Sequence, residues 1–351
     1  MESEKSVAPD AIFVFDSRSA ADRRIAGVAA AARAARGWLD GGGGKLWLAL
    51  PGGGPLASST VSDLQRLVGR DCVTICEFES LATLLAARPA DADGSASQVP
   101  ILPAPVPTRG QILRATAKTT DGAVASSLNR PISRLISATL LELPGFRPVH
   151  ATIGTAILAG AMFLALVLGG QPGLVAGGLL FQAASIFDGV DGEIARATFR
   201  TSAAGARLDS VVDAFTNLLF ILGVTVNLHA SGAPHAATLG IWGLALFGTG
   251  LVAIGWRTAR SDEPYSFNLV KQEVGTGGRW APFVAGFAIT VTSRDFFAFL
   301  YAVLILAGRP MAVLVIFAMA ATIWLAVVLV SLLAKRHPPQ ALAGAEAPAT
   351  E

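Results

Sequence analysis

Charged residues are scarce in this chain of 351 residues, and their scarcity limits what the protein can be. Asp, Glu, Lys and Arg make up 15% of the sequence, whereas 52% of the residues are hydrophobic. In a typical soluble domain, about a quarter of all residues are charged. The formal net charge is only +2, and the basic residues form short clusters, which argues against a nucleic-acid partner. The composition therefore predicts an integral membrane protein that does not bind nucleic acid.

Cysteine is nearly absent as well. Cys72 and Cys76 have no histidine beside them, and the paired spacing of a zinc site is missing. We therefore expect two reduced thiols and no metal at this place. The first ten residues, MESEKSVAPD, also lack the basic start and apolar core of a secretory signal peptide. We expect the N-terminus to remain in the cytoplasm.

The chain changes character near Phe146, and this change predicts two regions. Before it, AIFVF, KLWLALP and DCVTICEF have the pattern of short buried strands, and ADRRIAGVAAAARAARGWL and SDLQRLV that of helices. Beyond it, long apolar runs dominate. The predicted organisation is an α/β domain at 1–95, a linker with an interfacial helix at 96–145, a membrane domain at 146–336 and a disordered tail at 337–351.

The apolar runs predict six membrane-spanning helices, each near the roughly 20 residues needed to cross the hydrocarbon core. They lie at 148–169, 173–195, 205–228, 235–256, 294–308 and 310–334. The predicted fold class is an all-α polytopic membrane domain with a small N-terminal α/β cytosolic domain. Basic residues concentrate in the connections on one side, with only Arg309 on the other, so we expect both termini in the cytoplasm.

An amphipathic segment precedes the first of these spans. Leu128, Ile132 and Leu135 are set at helical spacing against polar residues such as Ser133 and Ser137. This pattern predicts a helix that lies against the membrane surface.

Four aspartates occur where the second and third predicted spans meet. Asp188 and Asp191 are three residues apart, and Asp209 and Asp213 are four apart, so each pair projects from one face of a helix. Carboxylates that converge between two helices repel one another, and a divalent cation offsets that repulsion. Because oxygen ligands without His or Cys favour hard cations, the pattern predicts Mg²⁺, Mn²⁺ or Ca²⁺ and not zinc.

Small residues and one arginine accompany the aspartates. Gly189, Gly192 and Gly205 leave room for a ligand beside the backbone, and Arg196 adds a fixed positive charge. Metal, glycine and arginine together favour a phosphate or pyrophosphate ligand. The alternatives are a buried network of acids and arginines, or an ion path in a transporter. A transporter would place such acids at the bilayer midplane, whereas these lie at the ends of their spans.

From Asp188 to Asp213, the sequence resembles the signature of the CDP-alcohol phosphotransferase family. Every fixed position of the form DGxxAR, eight residues, GxxxDxxxD is present when the chain is read from Asp191. The resemblance covers roughly residues 110–336. It implies six membrane helices, a homodimer and a cavity that faces the cytosol at the aspartates.

The resemblance also implies the roles of individual residues. Asp213 would act as the general base, and a two-metal site for Mg²⁺ or Mn²⁺ would be held by Asp188, Asp191, Asp209 and Asp213. The residues implied to lie against the CDP moiety are Gly189, Gly192, Ala195, Arg196 and Gly205. The implied partners are a CDP-alcohol donor, an alcohol acceptor and membrane lipids.

Four arginines are candidates for binding a phosphorylated acceptor such as inositol phosphate or glycerol phosphate. They are Arg257, Arg260, Arg279 and Arg294. The alternative is that they follow the positive-inside bias and contact lipid headgroups. A hydrophobic acceptor would not need them.

The N-terminal region resembles a degenerate cytidylyltransferase. KTTDGAVASSLNRPISRLIS and TSRDFFAFLYAVLILAG are similar to the family members in which such a region precedes the phosphotransferase, as in di-myo-inositol phosphate phosphate synthases. The first predicted strand is not followed by the glycine-rich loop that an active nucleotidyltransferase needs. Asp16 and Arg18, which come after this strand, are either remnants of a nucleotide site or ordinary loop residues. We expect a structural, regulatory or assembly role. A bifunctional enzyme and a catalytically inactive membrane protein that binds nucleotide or lipid are the alternatives.

Overall fold

The computed structural model describes residues 10–52, 54–69, 72–78, 99–118, 121–258 and 294–334. The chain divides into two compact units. The first contains residues 1–119, 131–151 and 189–206, and the second contains residues 120–130, 152–188 and 207–351.

A parallel sheet lies at the centre of the first unit. In chain order the elements of its N-terminal part are β1 (Ala11–Val14), α1 (Arg18–Asp22), β2 (Arg24–Ile25), β3 (Val28–Ala29), α2 (Ala30–Asp40), β4 (Leu46–Pro51), α3 (Ser58–Leu67), β5 (Val73–Phe78), β6 (Ile101–Pro103) and α4 (Arg109–Ala115). The sheet order in the described part of the chain is β5-β4-β1-β6, with every neighbouring pair parallel. Leu46, Leu48 and Leu50 of the central strand β4 are buried, which confirms the predicted α/β character.

Two details of this N-terminal part differ from the predictions. The helix predicted from residue 21 begins only at Ala30, because Ala26 and Gly27 adopt φ angles of 48° and 77° and turn the chain into the β2–β3 hairpin. The stretch predicted as a linker contains β6, in which Ile101 lies opposite Ile12 of β1. A strand of three residues is too short to show a periodic pattern in the sequence. It is stabilised by its pairing with β1, which the local sequence does not reveal.

Arg18, the first residue of α1, holds the loop that follows β4. Its Nε donates a hydrogen bond to the carbonyl oxygen of Gly52 at 2.9 Å, and Nη1 donates to that of Gly54. Its Nη2 also lies 2.9 Å from Glu77 Oε1. Arg18 was expected either as a remnant of a nucleotide site or as a loop residue; it begins a helix instead, and its contacts hold a neighbouring loop and strand.

Apolar helices follow residue 148. They are α6 (Pro148–Leu168), α7 (Gly170–Ala197), α8 (Ala203–Ala230), α9 (Ala236–Thr258), α10 (Arg294–Leu306) and α11 (Pro310–Ala334). Over the described ranges, four helices, α6 to α9, are long and apolar enough to cross a membrane. Each of the six predicted spans corresponds to a helix, but α10 has 13 residues, and the segment WAPFVAGFAITVTS before it lies outside the described residues. Six complete spans therefore remain a prediction.

An aromatic stack joins three of these helices in the second unit. The ring of Phe181 on α7 lies 4.0 Å from that of Phe220 on α8, and Phe220 lies 5.9 Å from Tyr301 on α10. All three side chains are buried. The stack packs together the helices that carry Asp188, Asp213 and Arg294.

Helices α9 and α11 approach each other closely at Gly243. A Cβ atom at this position would lie 2.7 Å from Cδ1 of Phe317 and 3.3 Å from the Cα of Ala318. In membrane proteins, small residues at a helix–helix interface allow the two backbones to approach closely and pack against each other.

We expect Gly243→Ala to lower the free energy of unfolding by about 1–3 kcal/mol, because the added methyl group overpacks the contact with α11. Thermal unfolding of the purified protein in detergent measures the effect. Gly248→Ala on the same helix is the matched control, since a Cβ there meets nothing within 4 Å. Equal melting temperatures for the two variants would contradict the prediction.

The predicted interfacial helix has its polar side inside the protein. A π-helical turn at Ala125–Asn129 leads into α5 (Arg130–Leu140). Ser133 and Ser137 are buried and donate hydrogen bonds of 2.7 Å to the two carboxylate oxygens of Glu193. Leu135, by contrast, is 71% exposed. The helix is amphipathic as predicted, and its apolar side is the exposed one.

Candidate functional site

The turn between α7 and α8 is closed by its own backbone. Phe199 adopts a φ of 53°, and the N–H of Arg200 donates to the carbonyl oxygen of Ala195 at 2.8 Å. Glycine is the usual residue in this left-handed position after a helix, so Phe199 is strained there. Ser202 then caps α8, because its Oγ accepts a hydrogen bond of 3.0 Å from the N–H of Gly205. The turn ends α7 and starts α8, the two helices that carry the four aspartates.

Three of the four predicted carboxylates lie together in the second unit. One oxygen from each of Asp188, Asp209 and Asp213 lies within 4.8 Å of the others. All three side chains are partly buried. Asp191 lies one helical turn beyond Asp188 on α7 and is buried, with 8% of its surface exposed.

Arg294, at the first position of α10, reaches this cluster. Its Nη1 lies 3.1 Å from Oδ1 of Asp188 and also donates to Oδ1 of Asp213. The side chain is 13% exposed. Its Nε and Nη2 are buried and have no hydrogen-bond partner among the residues that the structure describes. The sequence had suggested Arg294 as a ligand for an acceptor phosphate, without indicating its contact with the aspartates.

A polar network behind Arg294 was not predicted. Oδ1 of Asp295 accepts hydrogen bonds from Asn129 Nδ2 at 2.7 Å and from Ser185 Oγ at 2.8 Å. Gln182 Nε2 donates to Asn129 Oδ1 at 2.8 Å. The network connects the first turn of α10 to α7 and so helps to position Arg294. The sequence does contain one indication of this network: Asp295 follows Arg294 at the start of an apolar helix, where an ionisable residue rarely lies without a partner.

The residues implied to contact CDP lie on α7 and at the start of α8. A Cβ atom on Gly192 would come within 3.0 Å of Arg196 Nη1, so this glycine leaves room for the guanidinium. Arg196 Nε donates to the carbonyl oxygen of Thr116 at 2.8 Å. Gly189 and Ala195 are partly buried, and Gly205 is exposed.

Three of the candidate acceptor arginines cannot be placed at the site. Arg260 and Arg279 lie outside the described residues, and the side chain of Arg257 is also outside them. Their assignment stays a prediction.

The donor set suits a hard divalent cation. Three carboxylates supply only oxygen ligands, which Mg²⁺, Mn²⁺ and Ca²⁺ prefer. Their mutual repulsion in a partly buried place disfavours full ionisation unless positive charge is near. Arg294 supplies one such charge, and a divalent ion would offset the remainder.

A family model and several curated proteins are similar to this chain. The model of the CDP-alcohol phosphatidyltransferase family matches residues 148–349. Among curated relatives, the bifunctional IPC transferase and DIPP synthase of Aquifex aeolicus is 41% identical over 111 residues, which are 32% of this chain and 24% of the relative. The protein of the same description from Archaeoglobus fulgidus is 35% identical over 135 residues, 38% of this chain and 24% of the relative.

A third relative of that description, from Thermococcus kodakarensis, is 37% identical over 114 residues, 32% of this chain and 25% of the relative. The chain thus spans about a quarter of the length of the curated relatives that it matches.

Proposed function

Because the chain belongs to the CDP-alcohol phosphatidyltransferase family, we propose that it displaces CMP from a CDP-alcohol and joins the remaining phosphoryl group to a second alcohol. The observation that carries the proposal is the group formed by Asp188, Asp209 and Asp213, whose carboxylate oxygens lie within 4.8 Å of one another. Such a group can hold metal beside a pyrophosphate and can also accept a proton. An integral membrane protein with this site suits a donor or product that lies in the bilayer.

In the proposed reaction, the acceptor hydroxyl attacks the phosphorus that carries the donor alcohol. The new phosphorus–oxygen bond forms as the bond to the CMP oxygen breaks, and CMP leaves with the electron pair. Asp213 takes the hydroxyl proton as general base. Asp188, Asp191, Asp209 and Asp213 would hold Mg²⁺ or Mn²⁺, in a site for two ions. The bound metal would stabilise the charge that develops on the pyrophosphate oxygens.

Arginine and glycine would complete the donor site. Gly189, Gly192, Ala195, Arg196 and Gly205 are the proposed contacts with CDP. Arg294 is also proposed to bind phosphate, because its Nε and Nη2 have no partner among the described residues and can donate hydrogen bonds to phosphate oxygens. Arg257, Arg260 and Arg279 complete the proposed acceptor set.

The proposed substrates are of two kinds. The donor is of the CDP-diacylglycerol or CDP-inositol type, and the acceptor is inositol phosphate or another polar phosphorylated alcohol. Relatives described as IPC transferase and DIPP synthase favour the inositol type. We further propose a homodimer surrounded by membrane lipids, with both termini and the active site on the cytoplasmic side. For residues 1–95, a degenerate domain with a structural or regulatory role is favoured, since Arg18 is engaged by loop carbonyls and Glu77.

Release of CMP by the purified full chain in detergent tests the proposal. CDP-diacylglycerol and CDP-inositol are each combined with inositol phosphate, glycerol phosphate and free inositol, in Mg²⁺ and in excess chelator. We expect CMP release from one pair, with release abolished by the chelator. Metal-independent release, or no release from any pair, would contradict the proposed reaction with these substrates.

A further inference from the structure

A cavity in the first unit is lined by three arginines, of which two, Arg36 and Arg66, have no role in the proposed reaction. Its volume is about 360 Å³, and its lining residues are Arg36, Arg66, Leu67, Arg196, Phe199 and Thr201. Arg36 belongs to α2 and Arg66 to α3, both in the N-terminal α/β part of the unit. The volume lies at the lower end of the range for small-molecule sites, about 300–1,000 Å³.

The arginines are held in place by the protein around them. Arg66 Nη1 donates to the carbonyl oxygens of Thr198 at 3.2 Å and Phe199 at 3.4 Å. Arg36 Nη1 donates to the carbonyl oxygen of Leu67 at 3.0 Å. Arginines whose positions are fixed in this way lose little conformational freedom when an anion binds. Phe199 also lines the cavity, and its carbonyl oxygen accepts the hydrogen bond from Arg66.

Among the described residues, the lining of the cavity contains three arginines and no carboxylate. Asp40 pairs with Arg36 at 2.8 Å, and Asp63 pairs with Arg66 at 3.1 Å and with Arg24 at 3.4 Å. Burial, followed by the charges of Arg66 and Arg147, lowers the pKa of Arg200 next to the cavity wall. Arg24 and Arg66 thus share the carboxylate of Asp63, and a bound anion would add negative charge beside Arg66 and Arg36.

We infer that this cavity binds a phosphate monoester, with its dianionic group at Arg36, Arg66 and Arg196 and its carbon skeleton along Leu67 and Phe199. Guanidinium groups match the geometry of phosphate oxygens, and the Thr201 hydroxyl offers a further hydrogen bond. The cavity is larger than a phosphate group alone requires, which leaves room for a polyol or glycerol backbone. The ligand can come from the cytosol as a polyol phosphate or from the membrane as a phosphomonoester lipid. This site goes beyond the proposed transfer reaction, although it shares Arg196 with the proposed CDP contacts; Arg36 and Arg66 belong to the cavity alone.

Binding of radiolabelled inorganic phosphate to the full chain, measured by equilibrium dialysis in chelator, tests the inference. We expect Arg36→Gln to weaken binding by at least about tenfold, since a charge-assisted hydrogen bond is lost. Thr201→Glu should weaken it by a similar factor because it places a carboxylate at the cavity, whereas Thr201→Gln should not. Thr201 is exposed, so these two variants test the site without altering the buried core. Arg114→Gln, at an exposed arginine that does not line the cavity, is the control for general loss of charge.

Competition identifies the source of the ligand. Glycerol 3-phosphate is compared with glycerol, and nanodiscs that contain phosphatidic acid are compared with nanodiscs of phosphatidylcholine alone. Displacement by glycerol 3-phosphate supports a soluble ligand, and displacement by phosphatidic acid supports a lipid. Failure of both to displace phosphate would overturn the ligand class. Equal affinities in Arg36→Gln, Thr201→Glu and the unmodified protein, or equal losses in Arg114→Gln, would overturn the site.

The catalytic proposal fails separately. Asp213→Asn leaves all the lining residues in place and should bind phosphate as the unmodified protein does. Arg36-dependent binding without any CMP release would leave the cavity standing and the transfer reaction refuted.

Discussion

Asp213→Asn is expected to slow CMP release by about a hundredfold to ten-thousandfold, the range found when a general base is lost. The amide has nearly the same shape as the carboxylate, but it can neither take the proton of the acceptor hydroxyl nor contribute negative charge to a metal. The variant should still bind CDP, because the residues proposed to contact the nucleotide are unchanged. Initial rates of CMP release and nucleotide binding by calorimetry provide the two measurements.

Asp295→Asn is the matched control for this variant. It is also a change from carboxylate to amide in a polar network of the same unit, but Asp295 accepts hydrogen bonds from Asn129 and Ser185, and an amide oxygen can accept both. We expect it to retain activity within about tenfold. Normal turnover of Asp213→Asn would remove Asp213 from the role of base. Similar losses in both variants would indicate a general disturbance of the site.

Arg294→Gln is expected to bind Mn²⁺ at least about tenfold more tightly than the unmodified protein while releasing CMP more slowly. The guanidinium lies against Asp188 and Asp213, so it offsets part of the negative charge that a divalent cation would otherwise neutralise. A unit charge about 4 Å away contributes roughly 4 kcal/mol at an effective dielectric constant near 20, and solvent and relaxation reduce this value. Turnover falls because a proposed phosphate ligand is removed.

Electron paramagnetic resonance of free Mn²⁺ measures the affinity without any need for turnover. Arg294→Lys retains the positive charge and should bind Mn²⁺ with nearly the affinity of the unmodified protein. Weaker or unchanged Mn²⁺ binding in Arg294→Gln, with the protein still folded, would argue that the guanidinium and the metal do not share these carboxylates.

The helices of the membrane region could be predicted because a long apolar run is a local property of the sequence. The predicted span 148–169 and the observed helix Pro148–Leu168 differ by one residue at the end. The grouping of Asp188, Asp209 and Asp213 was also predictable, since the spacing of residues within a helix determines which side chains share a face.

Other features depend on contacts between distant parts of the chain. Arg294 is 81 residues from Asp213, and no local pattern indicates that the two meet. The hairpin at Ala26 and Gly27 interrupted a segment whose alanine content favoured helix, because two left-handed residues turned the chain first. Strand β6 forms only because β1 offers it an edge. The cavity of arginines is equally invisible in sequence, since its lining comes from residues between positions 36 and 201.

Helix α5 reverses the arrangement that a helix has on a water-soluble protein. Its two buried serines contact Glu193, whereas Ile132 and Leu135 are exposed. The choice of detergent therefore matters for this helix as well as for the spans. A micelle that surrounds only α6 to α9 would leave Leu135 in water, and molecules would then associate through this face. Early elution of associated protein on size-exclusion chromatography in a small-micelle detergent would then reflect the exposed face of α5 and not a failure to fold.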